Sequence, residues 1–124
     1  MEKKIRILVS DLKVEAELNE SKTAQMIWEA LPVEAKAALW GEEIYFAIPV
    51  KAGLEMGSRE VVSKGELGYW PTGHAFCIFF GPTPASRGEE IRAASAVNVI
   101  GRVLSEPNVF LKVKDGAKIT LEKA

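Results

Sequence analysis

Aromatic side chains that could form the walls of a binding site are concentrated in two stretches of the chain, Trp40 to Phe46 and Tyr69 to Phe79. Aromatic rings offer large apolar surfaces, and ligand pockets combine such surfaces with a few polar groups. The Trp70-Pro71 pair favours a turn that presents its indole at a surface. The sequence therefore predicts an aromatic-lined groove for a small molecule or peptide. Its candidate walls are Trp40, Tyr45, Tyr69, Trp70, His74 and Phe79.

Polar groups beside these walls are few. Asn98 could present its amide to a ligand. His74 is the single histidine, and its spacing pairs it with no nucleophile. A metal site would need carboxylates such as Glu42, Glu43 or Glu66 beside it, so we expect neither a metal nor another cofactor. Glu42 and Glu43 fall in a predicted hairpin, where adjacent residues point to opposite faces, so they cannot form a carboxylate dyad.

Prolyl isomerisation is the enzymatic alternative to simple binding. It needs no nucleophile: a pocket holds the proline ring, and a donor at the prolyl nitrogen lowers part of a barrier of about 18–20 kcal/mol. The cations that could act as this donor are Lys36, Arg59 and Arg102. A third hypothesis is an assembly protein that uses the aromatic turn as a subunit interface.

Bulk composition indicates one globular domain over residues 1–124, with 48% hydrophobic and 27% charged residues. The net charge of −1 and the lack of a basic block argue against a nucleic-acid partner. Met1 to Ile5 lead directly into an alternating pattern with no signal region or membrane-spanning stretch, so we expect a cytoplasmic protein without a membrane partner. A homo-oligomer is compatible with this composition. The single cysteine, Cys77, lies in an apolar run and is expected to be an inert buried thiol.

Apolar periodicity indicates strands at both ends of the chain and one main helix. Residues 5–9 and 14–18 alternate around a turn at Ser10-Asp11, which predicts an N-terminal hairpin. Ala24, Ile27 and Leu31 recur at helical spacing behind a capping Asn19 or Ser21, so a helix is expected over residues 20–31, before Pro32.

The middle of the chain is less regular. Residues 33–39 have a helical composition, but their flanks suit a strand, turn and strand, and we interpret them as a strand. Residues 49–64 are expected to form a long excursion outside the core. Strands are predicted at 75–80, 96–103 and 118–122, with a short helical segment near 107–113. About eight strands with one main helix predict an all-β fold, a closed antiparallel barrel.

Three segments carry a family resemblance: Trp40 to Phe46, Tyr69 to Pro84, and Ala94 to Val103. Together they resemble a small cyclophilin-like family of prokaryotic proteins without established function. The resemblance covers essentially the whole chain and implies a cyclophilin-type eight-stranded barrel capped by helices. Val99-Ile100-Gly101-Arg102-Val103 is also similar to the Val-Phe-Gly-Lys-Val word of ordinary cyclophilins. Those proteins carry a Phe-His-Arg word whose arginine contacts the prolyl amide, and this sequence has no such word.

Overall fold

Antiparallel strands dominate the computed structural model, which describes residues 3–124. Met1 and Glu2, part of the predicted domain and of the expectation about the N-terminus, lie outside the described residues. No helix among the described residues is both long and apolar enough to cross a membrane. The strands are β1 (Lys3–Val9), β2 (Leu12–Leu18), β3 (Val33–Lys36), β4 (Ala38–Leu39), β5 (Glu43–Ala47), β6 (Arg59–Val62), β7 (Glu66–Trp70), β8 (Ala75–Phe79), β9 (Ile91–Val103) and β10 (Lys118–Lys123).

The α-helix α1 spans Lys22–Ala30, within the predicted range. Ser21 caps it by accepting a hydrogen bond from the backbone N–H of Ala24 at 3.2 Å. Asn19 instead fixes the segment that precedes the helix, because its side-chain amide donates a hydrogen bond to the Val99 carbonyl. Two 3₁₀-helices, Pro71–Gly73 and Pro107–Lys112, complete the helical elements of the described chain. The second confirms the helical segment expected near residues 107–113.

The strands form a curved sheet in the order β3-β10-β1-β2-β9-β7-β8-β5-β4, with β6 paired to β9. The prediction of strand structure over residues 33–39 is confirmed, but as two strands. β3 pairs with β10 and β4 pairs with β5, so the chain crosses from one edge of the sheet to the other at Ala37.

The predicted closed barrel is wrong in one respect, because the hydrogen-bonded ladder does not close. The two edge strands, β3 and β4, are joined by the chain rather than by pairing with each other. At the crossing, Ala37 donates to the Ala117 carbonyl and accepts from the Gly116 amide, both at 2.7 Å. The backbone N–H and C=O of Ala37 are therefore both hydrogen-bonded to the loop before β10. The described residues contain ten strands rather than about eight.

Two further differences concern the segments around β6 and β9. The expected excursion over residues 49–64 contains β6, which pairs with β9 and buries Val62. β9 begins at Ile91 instead of Ala96, since its first half is the partner of β6 and its second half the partner of β2 and β7.

Buried side chains form two apolar clusters on opposite faces of β8. Phe76 and Ile78 join the larger cluster, which also contains most of the buried residues of β1, β2 and β10. Ala75, Cys77 and Phe79 join a smaller one with residues of β6 and β9. The alternation of side chains along a strand explains why an entirely apolar strand supplies both clusters.

Candidate functional site

A cavity of about 200 Å³ lies on the sheet face that carries the smaller cluster. Its residues come from the β4–β5 hairpin, from the end of β7 and from β9. They are Trp40, Glu43, Tyr45, Trp70, Ala93, Ala94 and Val97.

The β4–β5 hairpin positions Trp40 and Glu43 at one side of the cavity. The Trp40 amide donates to the Glu43 carbonyl at 2.9 Å across the turn. Gly41 occupies this turn with φ +62°, a left-handed conformation that favours glycine. A Cβ there would also lie 2.8 Å from Pro84 Cδ, because the segment from Gly81 to Pro84 packs closely against the turn. The hairpin tip is therefore fixed by contact with this proline-containing segment.

Trp70 forms another wall, and its indole is held on two sides. Its Nε1–H donates to Ser95 Oγ at 2.6 Å. At Gly73 a Cβ would come within 2.9 Å of the six-membered ring of the indole, so this glycine allows the ring to lie against the backbone. The ring is thus oriented before any ligand is present, which reduces the ordering cost of binding.

Glu43 supplies the only carboxyl group among the residues that line this cavity. Glu43 is 5% exposed, and no described protein group forms a hydrogen bond with its Oε1. Burial raises its pKa to about 7, and this effect outweighs the opposing hydrogen bond with the Cys77 thiol. Near neutral pH this group can therefore hold or release a proton.

Cys77 lies below the site on β8, directly opposite Tyr45 in the sheet register. It is 1% exposed, and burial, reinforced by the nearby Glu43 carboxylate, raises the pKa of its thiol well above the ordinary value. A buried thiol in its neutral form is a poor nucleophile. Cys77 therefore acts as a small apolar residue with a weak donor.

Three of the seven predicted ligand-binding residues meet at the cavity: Trp40, Tyr45 and Trp70. Phe79 is on the same sheet face, opposite Glu43 in the register, but it is completely buried in the smaller cluster. It supports the site from below rather than lining it.

The other three predicted residues lie away from the cavity. Tyr69 is buried in the larger cluster, and its hydroxyl donates to the Val50 carbonyl at 2.6 Å. Asn98 pairs with Tyr69 in the register and bonds to the segment around Gly53. His74 is exposed, with φ +49°, at the end of the first 3₁₀-helix. Strand alternation separates Tyr69 from Trp70 and Asn98 from Val97, because neighbours in a strand point to opposite faces.

The three candidate cations do not line this cavity either. Lys36 is exposed on the edge strand β3. Arg59 forms an ion pair with Glu66 at 2.9 Å, and the exposed Arg102 lies 3.9 Å from Glu17. The predicted combination of an aromatic groove with a cation is therefore replaced at this cavity by aromatic walls with a carboxyl group.

Sequence reasoning missed Glu43, Ala93, Ala94 and Val97 as lining residues. The signal for Glu43 was the alternation of β5, which places it on the same face as Tyr45. The small side chains of Ala93 and Ala94 line the cavity on the β9 side, but their role depends on a contact between distant segments. Among residues 3–124, no group of three or more His, Cys, Asp or Glu side chains is arranged to hold a metal ion.

Comparison with known proteins points to one family. The model of a family described as Cyclophilin-like matches residues 3–122. The solution structure of the hypothetical protein AF2241 from Archaeoglobus fulgidus is 41% identical, with a TM-score of 0.84 over 99% of this chain and 95% of that one. A structure of McbB in complex with tryptophan shares the fold at 12% identity and a TM-score of 0.64, over 95% of this chain and 44% of that one. No curated protein matches this sequence.

Proposed function

The chain belongs to the cyclophilin-like family, and from this premise we propose that it binds a small molecule, or one side chain of a peptide, in the cavity between Trp40, Tyr45 and Trp70. The single observation that carries the proposal is a cavity in which three half-buried aromatic residues surround a buried carboxyl group. Pockets of this composition, mostly apolar with one or two polar groups, are typical of ligand sites.

The size of the cavity limits the ligand. Pockets for drug-sized ligands measure roughly 300–1,000 Å³, whereas a dry cavity of about 150 Å³ is large enough for benzene. At about 200 Å³, this cavity suits one ring or one branched alkyl group. A larger ligand would leave the rest of its surface outside, which is compatible with recognition of a peptide side chain.

The test uses the three indole N–H signals of the protein in ¹H–¹⁵N NMR spectra. Trp40 and Trp70 line the cavity, whereas Trp28 lies on α1 beneath the ammonium group of Lys123, 4.7 Å from the ring centroid. Titration with indole, phenol, tetrahydropyran and a short Ala-Pro peptide should shift the Trp40 and Trp70 signals for at least one probe. The Trp28 signal should stay unchanged.

Trp40→Ala supplies the matched variant, with Trp28→Phe as its control. The loss of one aromatic wall should weaken binding of the responding probe at least tenfold, since a buried aromatic side chain contributes about 1.5–3 kcal/mol. The control should bind as the natural protein does. Unchanged affinity in Trp40→Ala, at normal stability, would place the ligand elsewhere.

Prolyl isomerase activity is the second candidate, and the ring-sized cavity is the observation that favours it. Here a protonated Glu43 would replace the cation as donor to the prolyl nitrogen. Two-dimensional exchange NMR on short Xaa-Pro peptides should then show accelerated exchange that Glu43→Ala abolishes. An assembly role for the aromatic turn would instead produce a molecular mass that rises with protein concentration.

A further inference from the structure

One oxygen of the Glu43 carboxyl group is buried without a hydrogen-bond partner among the described residues. Glu43 is nine-tenths buried or more, its Oε1 receives no hydrogen bond from a described group, and none of the ion pairs within residues 3–124 includes it. A buried carboxylate without a cation or several donors is unfavourable, and burial raises the pKa of Glu43 to about 7, so the group is about half protonated at neutral pH. A ligand that supplies both positive charge and an N–H donor would satisfy it.

The aromatic walls favour the same kind of ligand. The face of an aromatic ring carries negative potential, and a cation over the face of Trp or Tyr is attracted by about 0.5–2 kcal/mol. Sites that recognise alkylammonium groups use such aromatic residues around the cation. At this cavity two indoles and one phenol accompany the carboxyl group, and no Lys or Arg lines it to compete for the acid.

Other ligand classes fit less well. An anion would find no cation in the lining to compensate its charge, and Glu43 would have to stay protonated beside it. A metal ion would find one carboxylate, since Cys77 is a neutral buried thiol and no further carboxyl group lines the cavity. A wholly apolar ligand would fill the volume but leave Oε1 without a partner.

We propose that the ligand group held in this cavity is a protonated amine with a small ring or branched alkyl substituent, whose N–H donates to Glu43 while the rest packs against Trp40, Tyr45 and Trp70. The inference rests on the proposed binding function and names the chemical class of its ligand. The bound cation requires Glu43 as the carboxylate, so binding releases a proton from those molecules in which the carboxyl group still holds one.

The experiment compares four ring compounds of similar size by the indole NMR titration. Piperidine, protonated at neutral pH, carries charge and N–H donors, and N-methylpiperidine carries charge and one donor. The N,N-dimethylpiperidinium ion carries charge without a donor, and tetrahydropyran is neutral. At pH 7.5 we expect piperidine to bind at least tenfold more tightly than tetrahydropyran, with N,N-dimethylpiperidinium between them.

Glu43→Gln separates the contribution of charge from that of shape. The amide keeps the size of the side chain but cannot become an anion, so the preference for piperidine over tetrahydropyran should fall to less than threefold. Tetrahydropyran should bind the variant within a factor of three of its affinity for the natural protein. Glu42→Gln, which alters the neighbouring acid outside the cavity lining, serves as the control and should retain the preference.

Proton release adds a readout independent of the variants. Glu43 is the titratable acid of the site, and Cys77 from β8 and Tyr45 from its own strand are the other titratable groups that face it. Affinity for piperidine should fall about fivefold from pH 7 to pH 6, because the carboxylate fraction of a group with a pKa of about 7 falls from about one half to about one tenth. Affinity for tetrahydropyran should stay constant.

The outcomes distinguish the two proposals. Equal binding of piperidine and tetrahydropyran to the natural protein, with shifts of Trp40 and Trp70, would overturn the amine inference and leave the binding function standing. Shifts with none of these ring compounds, nor with the probes of the first titration, would overturn both. A piperidine preference that survives in Glu43→Gln would overturn the role of the carboxyl group.

Discussion

Glu43 lines the candidate site, and its burial opposes the stability of the fold. Its pKa is raised from 4.5 to about 7 by burial, so between these values the folded protein holds a proton that the unfolded chain has released. Stability therefore falls as pH rises through this window, and the full effect is present above pH 7. The difference of about 2.5 pH units corresponds to roughly 3 kcal/mol.

The residue-scale prediction follows from this decrease of stability with rising pH. Glu43→Gln removes the ionisation, so the free energy of unfolding of the variant relative to the natural protein should rise by about 2–3 kcal/mol between pH 5 and pH 8. Urea denaturation at both pH values measures it. The control is Glu89→Gln at an exposed position, for which the difference should stay within 0.5 kcal/mol of zero at both pH values, a typical range for surface changes. A difference for Glu43→Gln that does not vary with pH would contradict the prediction.

The two halves of β9 have different surroundings. Its first half lines the cavity through Ala93 and Ala94, and its second half pairs with β2 and β7. The register with β7 shifts near Leu67, where β9 carries one extra residue, a β-bulge. Gly101 lies at this point, and a Cβ there would be 2.1 Å from the Glu17 carbonyl oxygen. The backbone of β2 thus requires a glycine at this position.

The element-scale prediction concerns Gly101→Ala. The contact involves backbone on both sides and cannot be relieved by a side-chain rotation, so we expect a loss of about 3 kcal/mol or more in unfolding free energy. The matched control is Gly53→Ala, where a Cβ meets nothing within 4 Å, and the change should stay within about 0.5 kcal/mol. Thermal and urea denaturation measure both. Similar stabilities for the two variants would mean that β2 and β9 separate at little cost.

At the scale of the whole molecule, Asn98 joins three distant parts of the chain. Its Nδ2 donates to the Gly53 carbonyl at 2.9 Å and to Thr23 Oγ1 at 3.1 Å, and its Oδ1 accepts from the Glu55 amide at 2.8 Å. Glu55 in turn accepts hydrogen bonds from the backbone and hydroxyl of Thr23, near the start of α1. Asn98 is 3% exposed and its partner Thr23 is 1% exposed, whereas Glu55 is half-buried and Gly53 is exposed.

The whole-molecule prediction separates this role from ligand binding. Asn98→Ala should lower the free energy of unfolding by about 2–4 kcal/mol, since three hydrogen bonds of a buried side chain are lost. Below the unfolding transition, affinity for the probe bound beside Trp40 should change less than twofold, because Asn98 lies on the opposite face of the sheet. Asn108→Ala, at an exposed position, is the stability control. A large loss of affinity in folded Asn98→Ala would place the amide in the ligand site.

Local pattern determined much of this protein from the sequence alone: the hairpin of β1 and β2, the helix before Pro32 and the final strand. These features depend on periodicity, capping and turn residues within a few positions of one another. The family was indicated by the resemblance of three longer segments. The alternation of side chains along a strand can also be read from the sequence. It places Tyr69 and Trp70 on opposite faces of the sheet and Glu43 on the same face as Tyr45. Only the tertiary structure decided that the ladder stays open at Ala37, that β6 lies within the excursion and that Ala93 and Ala94 line a cavity with the β4–β5 hairpin. These outcomes depend on contacts between residues far apart in the chain, which govern how strongly Glu43 is buried and which aromatic rings surround it.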